Sequence, residues 1–121
     1  MSRSRQTLGK IGEDLACREL ERAGCAILAR RYRRRSGELD VVARDGQTVV
    51  FVEVKTRDGC QFGAGVEAVH GLKRRRIVDV ALDYLVRHRL TECPCRFDVV
   101  SIELSELGPK IDWYRNAFDV A

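Results

Sequence analysis

The sequence predicts a small α/β domain whose elements follow the order α-β-β-β-α-β-β. Two segments carry apolar residues at helical spacing, and five others are rich in β-branched residues or bounded by turn residues. At 121 residues and 45% hydrophobic content, the chain is long enough for one core and too short for two. We therefore expect a single domain over residues 1–121, with residues 1–6 as a flexible basic tail.

The first predicted helix begins at an N-cap, Thr7, and ends near Ala23, before Gly24. Its apolar stripe consists of Leu8, Ile11, Leu15, Ala16, Leu20 and Ala23. Glu13 lies at the border of this stripe, among small and apolar neighbours. It is either a boundary residue in the first turns, where acids favour the helix dipole, or a functional carboxylate.

A strand from about Ala26 to Arg31 leads into a basic run that contains one aromatic residue. The run consists of Arg30, Arg31, Tyr32, Arg33, Arg34 and Arg35. Guanidinium groups pair bidentately with phosphates, and a tyrosine ring can stack on a base. Basic runs are often solvated or disordered. Because this one lies between two predicted strands, we interpret it as a nucleic-acid contact.

The next two strands, residues 39–43 and 48–55, form a predicted antiparallel hairpin around Asp45-Gly46. With Asp45 and Gly46 as the loop, Arg44 faces Gln47, Asp40 faces Phe51 and Glu38 faces Glu53. Side chains alternate between the two faces of a strand. One face then carries Glu38, Asp40, Phe51, Glu53 and Lys55, and the other, the predicted core, carries Leu39, Val41, Val50, Val52 and Val54.

Facing carboxylates repel each other, so the acidic face of this hairpin favours a cation site. Mg²⁺ takes oxygen ligands, typically one or two carboxylates with waters and a substrate phosphate. Lys55, on the same face, puts an ammonium near the attacking water or the scissile phosphate. The alternative is a solvated acidic face with Lys55 as a counter-ion.

After a Gly-rich loop over residues 58–65, a second helix is predicted from about Val66 to His88. Lys73 lies on its apolar stripe, where it either extends past the core to solvent or reaches a phosphate. His70 is interpreted as packing at the helix edge. The last two strands span residues 96–104 and 110–115, and Asp98 is expected to hold an arginine or cap the sheet edge.

Charge and cysteine content favour a cytoplasmic protein that binds a polyanion. The formal net charge is +4, and residues 1–60 hold 13 Lys and Arg against 9 Asp and Glu, so the excess lies beside the carboxylates. Five irregularly spaced cysteines imply no disulfide framework, and only His70 and His88 could join them, so a zinc site is not expected. No apolar run reaches membrane-spanning length.

A set of short motifs resembles the bacterial YraN-like family over nearly the whole chain. The motifs are residues 9–16 (Gly-x-x-Gly-Glu-x-x-Ala), 37–40 (Gly-Glu-Leu-Asp), 51–57 (Phe-Val-Glu-Val-Lys-Thr-Arg), 62–63 (Phe-Gly), 67–69 with Lys73, 96–100 (Arg-Phe-Asp-Val-Val) and 116–118 (Asn-Ala-Phe). That family belongs to the restriction-endonuclease-like superfamily. The order of Glu13, Asp40, Glu53 and Lys55 is also similar to the archaeal Holliday junction resolvases, which cut branched DNA as dimers with Mg²⁺.

The resemblance implies that Asp40 and Glu53 ligate the metal, with the Val54 carbonyl as a further ligand, and that Lys55 positions or activates water. Glu13 would complete the metal's surroundings. Glu38 matches the family motif and is assigned a supporting role.

Taken together, we expect a restriction-endonuclease-like domain with a central mixed sheet flanked by helices. Its expected activity is that of a Mg²⁺- or Mn²⁺-dependent endonuclease acting on DNA, including branched DNA. The nucleic-acid contacts are the arginine run, Arg57 and Lys73, and a homodimer is a further expectation. The alternative is a non-catalytic module, binding nucleic acid or protein, that keeps the nuclease fold.

Overall fold

Two helices and five strands make up the part of the chain that the computed structural model describes, residues 5–58 and 71–118. In chain order they are α1 (Arg5–Arg22), β1 (Ala26–Arg34), β2 (Gly37–Asp45), β3 (Thr48–Asp58), α2 (Gly71–Arg87), β4 (Cys95–Leu104) and β5 (Lys110–Tyr114). The predicted order of elements is confirmed, although α1 begins two residues before the predicted N-cap. Predictions for residues 1–4, for the Gly-rich loop with Cys60, and for the segment through His70 lie outside the described residues.

The strands form one sheet in the order β1-β2-β3-β4-β5. Strands β3 and β4 pair in parallel, and the other three neighbouring pairs are antiparallel. A parallel pair needs a long crossover connection, which here contains α2. The expected mixed sheet is therefore confirmed.

The two helices cover opposite faces of this sheet. Val52 of β3 lies in one core cluster with Leu20 of α1, whereas its neighbour Phe51 lies in the other with Tyr84 of α2. A strand buried on both faces reads as a continuous hydrophobic run, as residues 49–52 do. The prediction that only the Val41 face of the hairpin is core was therefore wrong. Neither of the two described helices is long and apolar enough to cross a membrane.

The hairpin between β2 and β3 turns one residue later than predicted. Asp45 pairs with Thr48, so Gly46 and Gln47 form the loop, and Arg44 faces Val49 instead of Gln47. Gly46 has a φ of +60° and takes the first central position of the turn, where a primed hairpin turn favours glycine. This moves the register by two residues, which keeps every side chain of β3 on its predicted face.

The shift in register separates Glu38 from Glu53, and Asp40 from Phe51. Phe51 instead faces Val42, and Val52 faces Val41 in the last recorded pair of that ladder. Glu38 pairs with Arg33 of β1. The predicted pairing of Glu38 with Glu53 was wrong because the turn is formed by Gly46 and Gln47 and not by Asp45 and Gly46.

Strand β1 interrupts the regular alternation of side chains. Its register against β2 shifts between Ile27 and Ala29, and Arg31 has a left-handed φ of +52°. Beyond this irregularity, Leu39 packs in the core under α2, on the opposite face from Val41. The prediction that these two residues share a face was wrong: the ladder to β3 ends at Val41 and Asp40 has no pair in the ladder to β1, so the regular alternation is not enforced there.

Asp98 anchors the far side of the sheet. Its fully buried carboxylate accepts hydrogen bonds from Arg96 Nε at 3.1 Å, Trp113 Nε1 at 2.9 Å and the backbone N–H of Asn116 at 2.8 Å. These bonds satisfy a charge that would otherwise be costly to bury. The expected partnership of Asp98 with an arginine is confirmed.

Candidate active site

Strand β3 carries a polar pair where the hydrophobic run ends. Glu53 and Lys55 follow Phe51 at intervals of two, so their side chains leave the sheet on the α2 face. Their side chains are only 11% and 19% exposed. The strand thus presents a half-buried carboxylate and ammonium near the beginning of α2.

Asp40 of β2 completes the acidic part of the cluster. Its Oδ2 accepts a hydrogen bond from the backbone N–H of Val54 at 2.8 Å, just beyond the last ladder pair of the hairpin. Burial, and then repulsion from Glu53, raises the pKa of Asp40 to about 7, although the Val54 hydrogen bond opposes the rise. Glu53 is therefore close enough to disfavour a negative charge on Asp40.

Two lysines converge on Glu53. Lys55 Nζ lies 3.5 Å from Glu53 Oε1, and Lys73 Nζ from α2 contacts the same oxygen more closely. Burial and the neighbouring Lys73 ammonium lower the pKa of Lys55. Burial acts to lower the pKa of Lys73 as well, but its hydrogen bonds, chiefly to Glu53, outweigh burial and raise it. Lys73, for which the sequence left two options open, is thus paired with the candidate metal ligand.

The donor set suits a hard cation that keeps much of its water. Among residues 5–58 and 71–118, no three His, Cys, Asp or Glu side chains come together as a ligand cluster. Asp40 and Glu53 are two carboxylates, and the Val54 carbonyl is the further oxygen implied by the resemblance. Mg²⁺ is commonly held by one or two carboxylates, with water and substrate oxygens filling the other positions.

Glu13 lies on α1, buried against the other side of the sheet. Its Oε1 accepts a hydrogen bond from Arg30 Nε at 2.8 Å, and its Oε2 accepts one from Arg31 Nε at 3.1 Å. The left-handed backbone of Arg31 lets two consecutive residues reach the same carboxylate. Both Glu13 oxygens are thus held by arginines, and its part in metal binding stays a prediction.

The α1 helix approaches this region closely because of Gly12. A Cβ at Gly12 would lie only 1.8 Å from Thr56 Oγ1, so no larger residue fits at the present distance between α1 and β3. Gly12 precedes Glu13 in the motif from residues 9–16. The glycine therefore sets how near Glu13 comes to the end of β3 that carries Lys55.

The arginine run is divided between several partners. Arg30 also donates to Asp14 at 2.6 Å, and Arg33 Nη2 lies 3.5 Å from Glu38 Oε2, so Glu38 contacts an arginine. Arg35 is exposed and makes no recorded ion pair with the described residues. Outside the run, Arg57 lies opposite Glu103 in the β3–β4 ladder. The run is therefore not one uniform basic surface.

Tyr32 and Arg34 belong to a network around Asp83 of α2. The Tyr32 hydroxyl donates to Asp83 Oδ2 at 2.6 Å, and Arg34 Nε donates to the same oxygen at 2.9 Å. The Tyr32 ring packs edge-on against Tyr84, with 5.1 Å between ring centroids. These contacts place Tyr32 in the protein's own aromatic cluster.

Sequence reasoning missed Asp83, Arg76 and Arg87 as neighbours of the basic run. All three lie on α2 at spacings of three, four or seven from Val80, a buried stripe residue. An acid on the edge of an apolar stripe, next to two basic residues at helical spacing, was the available signal. Their position beside the end of the β1–β2 hairpin is a tertiary contact that the sequence does not indicate.

Comparison with known proteins gives one family. The model of "Uncharacterised protein family UPF0102" matches residues 12–102. A UPF0102 protein of Geobacter metallireducens is 46% identical over 121 residues, covering 100% of this chain and 99% of its own length. UPF0102 proteins of Frankia alni and Pseudomonas aeruginosa are 45% and 43% identical, covering 96% and 92% of this chain and 98% and 91% of their own lengths.

Proposed function

This chain belongs to UPF0102, the YraN-like family that its motifs indicated, and we propose that it is a metal-dependent nuclease acting on DNA. The Asp40–Glu53 cluster is the proposed active site. The mixed sheet with a helix on each face supports placing it in the restriction-endonuclease-like superfamily. Branched DNA is the substrate class that the similarity to junction resolvases suggests. Cytoplasmic location and a homodimer belong to the same proposal.

One observation carries the proposal: Asp40 and Glu53 are gathered beside the Lys55 ammonium in a largely buried place, where burial and the Glu53 charge disfavour a negative charge on Asp40. Asp40 is raised in pKa by burial and by Glu53, so the pair favours any process that adds positive charge between them. Functional sites commonly hold groups perturbed in this way. A structural ion pair would instead lower the pKa of its carboxyl.

The residues present fit Mg²⁺ or Mn²⁺. Asp40 and Glu53 would hold the ion, together with the Val54 carbonyl, and the mainly oxygen donor set matches the preference of both cations. When bound, such an ion neutralises phosphate charge and makes a coordinated water more acidic.

Lys55 and Lys73 have separate parts in this proposal. Lys55 leaves β3 on the same face as Glu53, and its lowered pKa makes it more easily deprotonated than a surface lysine. It would orient the attacking water and offset charge that develops on the phosphate. Lys73 pairs with Glu53 in this structure. If Glu53 ligated a metal ion, Lys73 would be released from this ion pair and could bind a phosphate.

A specific observation also favours the alternative, a module that binds nucleic acid without cutting it. Glu53 Oε1 is contacted by both lysines, so its charge already has partners within the protein. If both lysines still pair with Glu53 when Mg²⁺ or Mn²⁺ is present, Glu53 has a structural role and the cluster is catalytically inactive.

The two proposals are separated by a cleavage assay over a panel of DNA structures. Purified protein is incubated with end-labelled duplex, single strand, flap and four-way junction, each with EDTA, Mg²⁺ and Mn²⁺. A nuclease cuts at least one structure with Mg²⁺ or Mn²⁺ and none with EDTA, and Glu53→Gln abolishes the cutting.

Binding to the same panel supplies the second readout. Binding without cleavage under every metal condition supports the non-catalytic module. Cleavage that Glu53→Gln leaves unchanged would assign the activity to another site or to a contaminant.

A further inference from the structure

One stripe of α2 runs along the seam between this helix and the β1–β2 hairpin. Its members recur every three or four residues and so lie on one side of the helix. They are Lys73, Arg76, Val80, Asp83 and Arg87. Lys73, at one end, contacts Glu53 of the candidate active site. The stripe therefore leads away from the carboxylate cluster.

The end of the β1–β2 hairpin rests on this stripe. A Cβ at Gly37 would lie 3.5 Å from Val80 Cγ2 and 3.6 Å from Arg76 Cβ, so the backbone there is in contact distance of α2. Further along the helix, a concave surface is lined by Arg34, Arg35, Ser36, Asp83 and Arg87. The hairpin thus brings its last arginines to the stripe's own basic residues.

Two of the three guanidinium groups that line this concave surface, those of Arg34 and Arg87, are each held through Nε. Arg34 Nε and Arg87 Nε both donate to Asp83, at 2.9 Å and 3.1 Å, and no bond of their terminal amino groups to a described residue is recorded. Asp83 therefore orients two arginines and leaves their outer nitrogens for a ligand. Arg35 and Arg76 are exposed, without a recorded ion pair to the described residues.

The geometry points to a binding track for a nucleic-acid backbone along this seam, from Lys73 through Arg76 and Arg35 to Arg34 and Arg87. The track rests on the proposed function, because the strand it holds is the one presented to the Asp40–Glu53 cluster. A guanidinium offers paired N–H donors that match the oxygens of a phosphate. Four arginines and a lysine outnumber the two carboxylates that pair with them, Glu53 and Asp83, so the seam keeps a net positive charge.

The length of the track identifies a polymer as its occupant. Lys73 and Arg87 are fourteen residues apart, which is roughly 21 Å along a helix that rises 1.5 Å per residue. A nucleotide or other small phosphate would meet only one part of it. One strand of B-DNA advances about 3.4 Å per nucleotide along the axis, so the track spans roughly six nucleotides to one side of the cleavage site.

The track is tested with two matched pairs of substitutions. Arg35→Gln with Arg76→Gln removes two positive charges from the seam, and Arg18→Gln with Arg22→Gln removes two from exposed positions of α1, beyond the other face of the sheet. Binding of labelled duplex and junction DNA is measured between 50 and 200 mM salt, and cleavage is measured at saturating protein.

The track predicts that the seam pair weakens binding about tenfold or more and lowers the salt slope by about 1.8, since each lost phosphate contact removes about 0.9. The α1 pair should stay within about twofold of wild type. Cleavage at saturating protein serves as the control: the α1 pair, whose residues lie outside both the track and the carboxylate cluster, should cut as wild type does. Arg87→Gln, made separately, should reproduce the loss on a smaller scale.

Three results separate the track from the nuclease. A wild-type protein that binds and cuts, with both pairs equal in affinity and salt slope, overturns the track and leaves the nuclease standing. A protein that binds without cutting, with the seam pair weakened, retains the track and removes the nuclease. A wild-type protein that binds no DNA of the panel overturns both.

Discussion

Asp40 Oδ2 accepts a hydrogen bond from the backbone N–H of Val54 at 2.8 Å, which joins β2 to β3 beyond their last ladder pair. This bond holds the Asp40 carboxylate beside the strand that carries Glu53 and Lys55. The carboxylate is therefore fixed by the backbone of the residue between its two functional neighbours. Burial and the Glu53 charge nevertheless raise its pKa to about 7.

The raised pKa of Asp40 predicts that stability falls as pH rises from about 4 to 7. In this window the folded protein holds a proton that the unfolded chain, with an ordinary pKa near 3.8, has released. The full shift is equivalent to at most about 4 kcal/mol. Urea unfolding at several pH values should show the decline in wild type and a flatter profile in Asp40→Asn, which keeps an acceptor for the Val54 N–H.

Asp83 should act in the opposite direction and in a different range. Its hydrogen bond from Tyr32, followed by those from Arg87 and Arg34, lowers the pKa of Asp83 to about 2. Its contribution is therefore present above about pH 4 and is lost as pH falls toward 2. An Asp40→Asn profile as steep as wild type between pH 4 and 7 would contradict the assignment of the decline to Asp40.

Metal binding should raise the melting temperature in the absence of substrate. An ion that binds only the folded protein stabilises it according to its concentration and dissociation constant. Mg²⁺ or Mn²⁺ at 10 mM should therefore raise the melting temperature relative to EDTA, and more so at pH 8 than at pH 6, since the proton on Asp40 competes. Asp40→Asn should lose the gain, whereas Asp112→Asn on the distant strand β5 should keep it.

Glu13 provides a test of which carboxylates hold the metal. Glu13→Gln removes the charge that pairs with Arg30 and Arg31, and we expect unfolding to become easier by about 1–3 kcal/mol, the usual cost of weakening a buried charged hydrogen bond. The metal-induced gain in melting temperature should persist, because Asp40 and Glu53 are intact. Loss of that gain would show that Glu13 joins the metal site, as the resemblance implies.

Much of the fold could be predicted because its elements carry strong local signals. Glu53 and Lys55 are two residues apart in β3, so their side chains share a face in any register. The observed register shift of two residues also leaves them on the predicted face. The turn itself was misplaced because Asp45-Gly46 and Gly46-Gln47 are both acceptable loops, and only the observed pairing of Asp45 with Thr48 separates them. Neither the left-handed backbone of Arg31 nor the break in alternation that puts Leu39 in the other core has a marker in the sequence.

The acidic members of the candidate site could be predicted, but their partners could not. Glu53 and Lys55 are two residues apart in one strand, whereas Lys73 reaches Glu53 only because α2 crosses above β3. Likewise, Arg30 and Arg31 looked like free cations until α1 brought Glu13 and Asp14 to them. Contacts between elements distant in sequence depend on how the helices cross the sheet, and one sequence does not specify this.

Lys55→Ala tests the central claim, because Lys55 is proposed to act in the chemical step and not in binding. The measurement is the single-turnover cleavage rate with Mg²⁺ on the panel substrate cut best, together with the dissociation constant for that substrate. We predict a dissociation constant within a few-fold of wild type and a rate lowered by roughly a hundredfold or more, the scale of losing one positioned electrostatic group. A Lys55→Ala protein that cuts as fast as wild type would contradict the assignment of the active site to this face of β3.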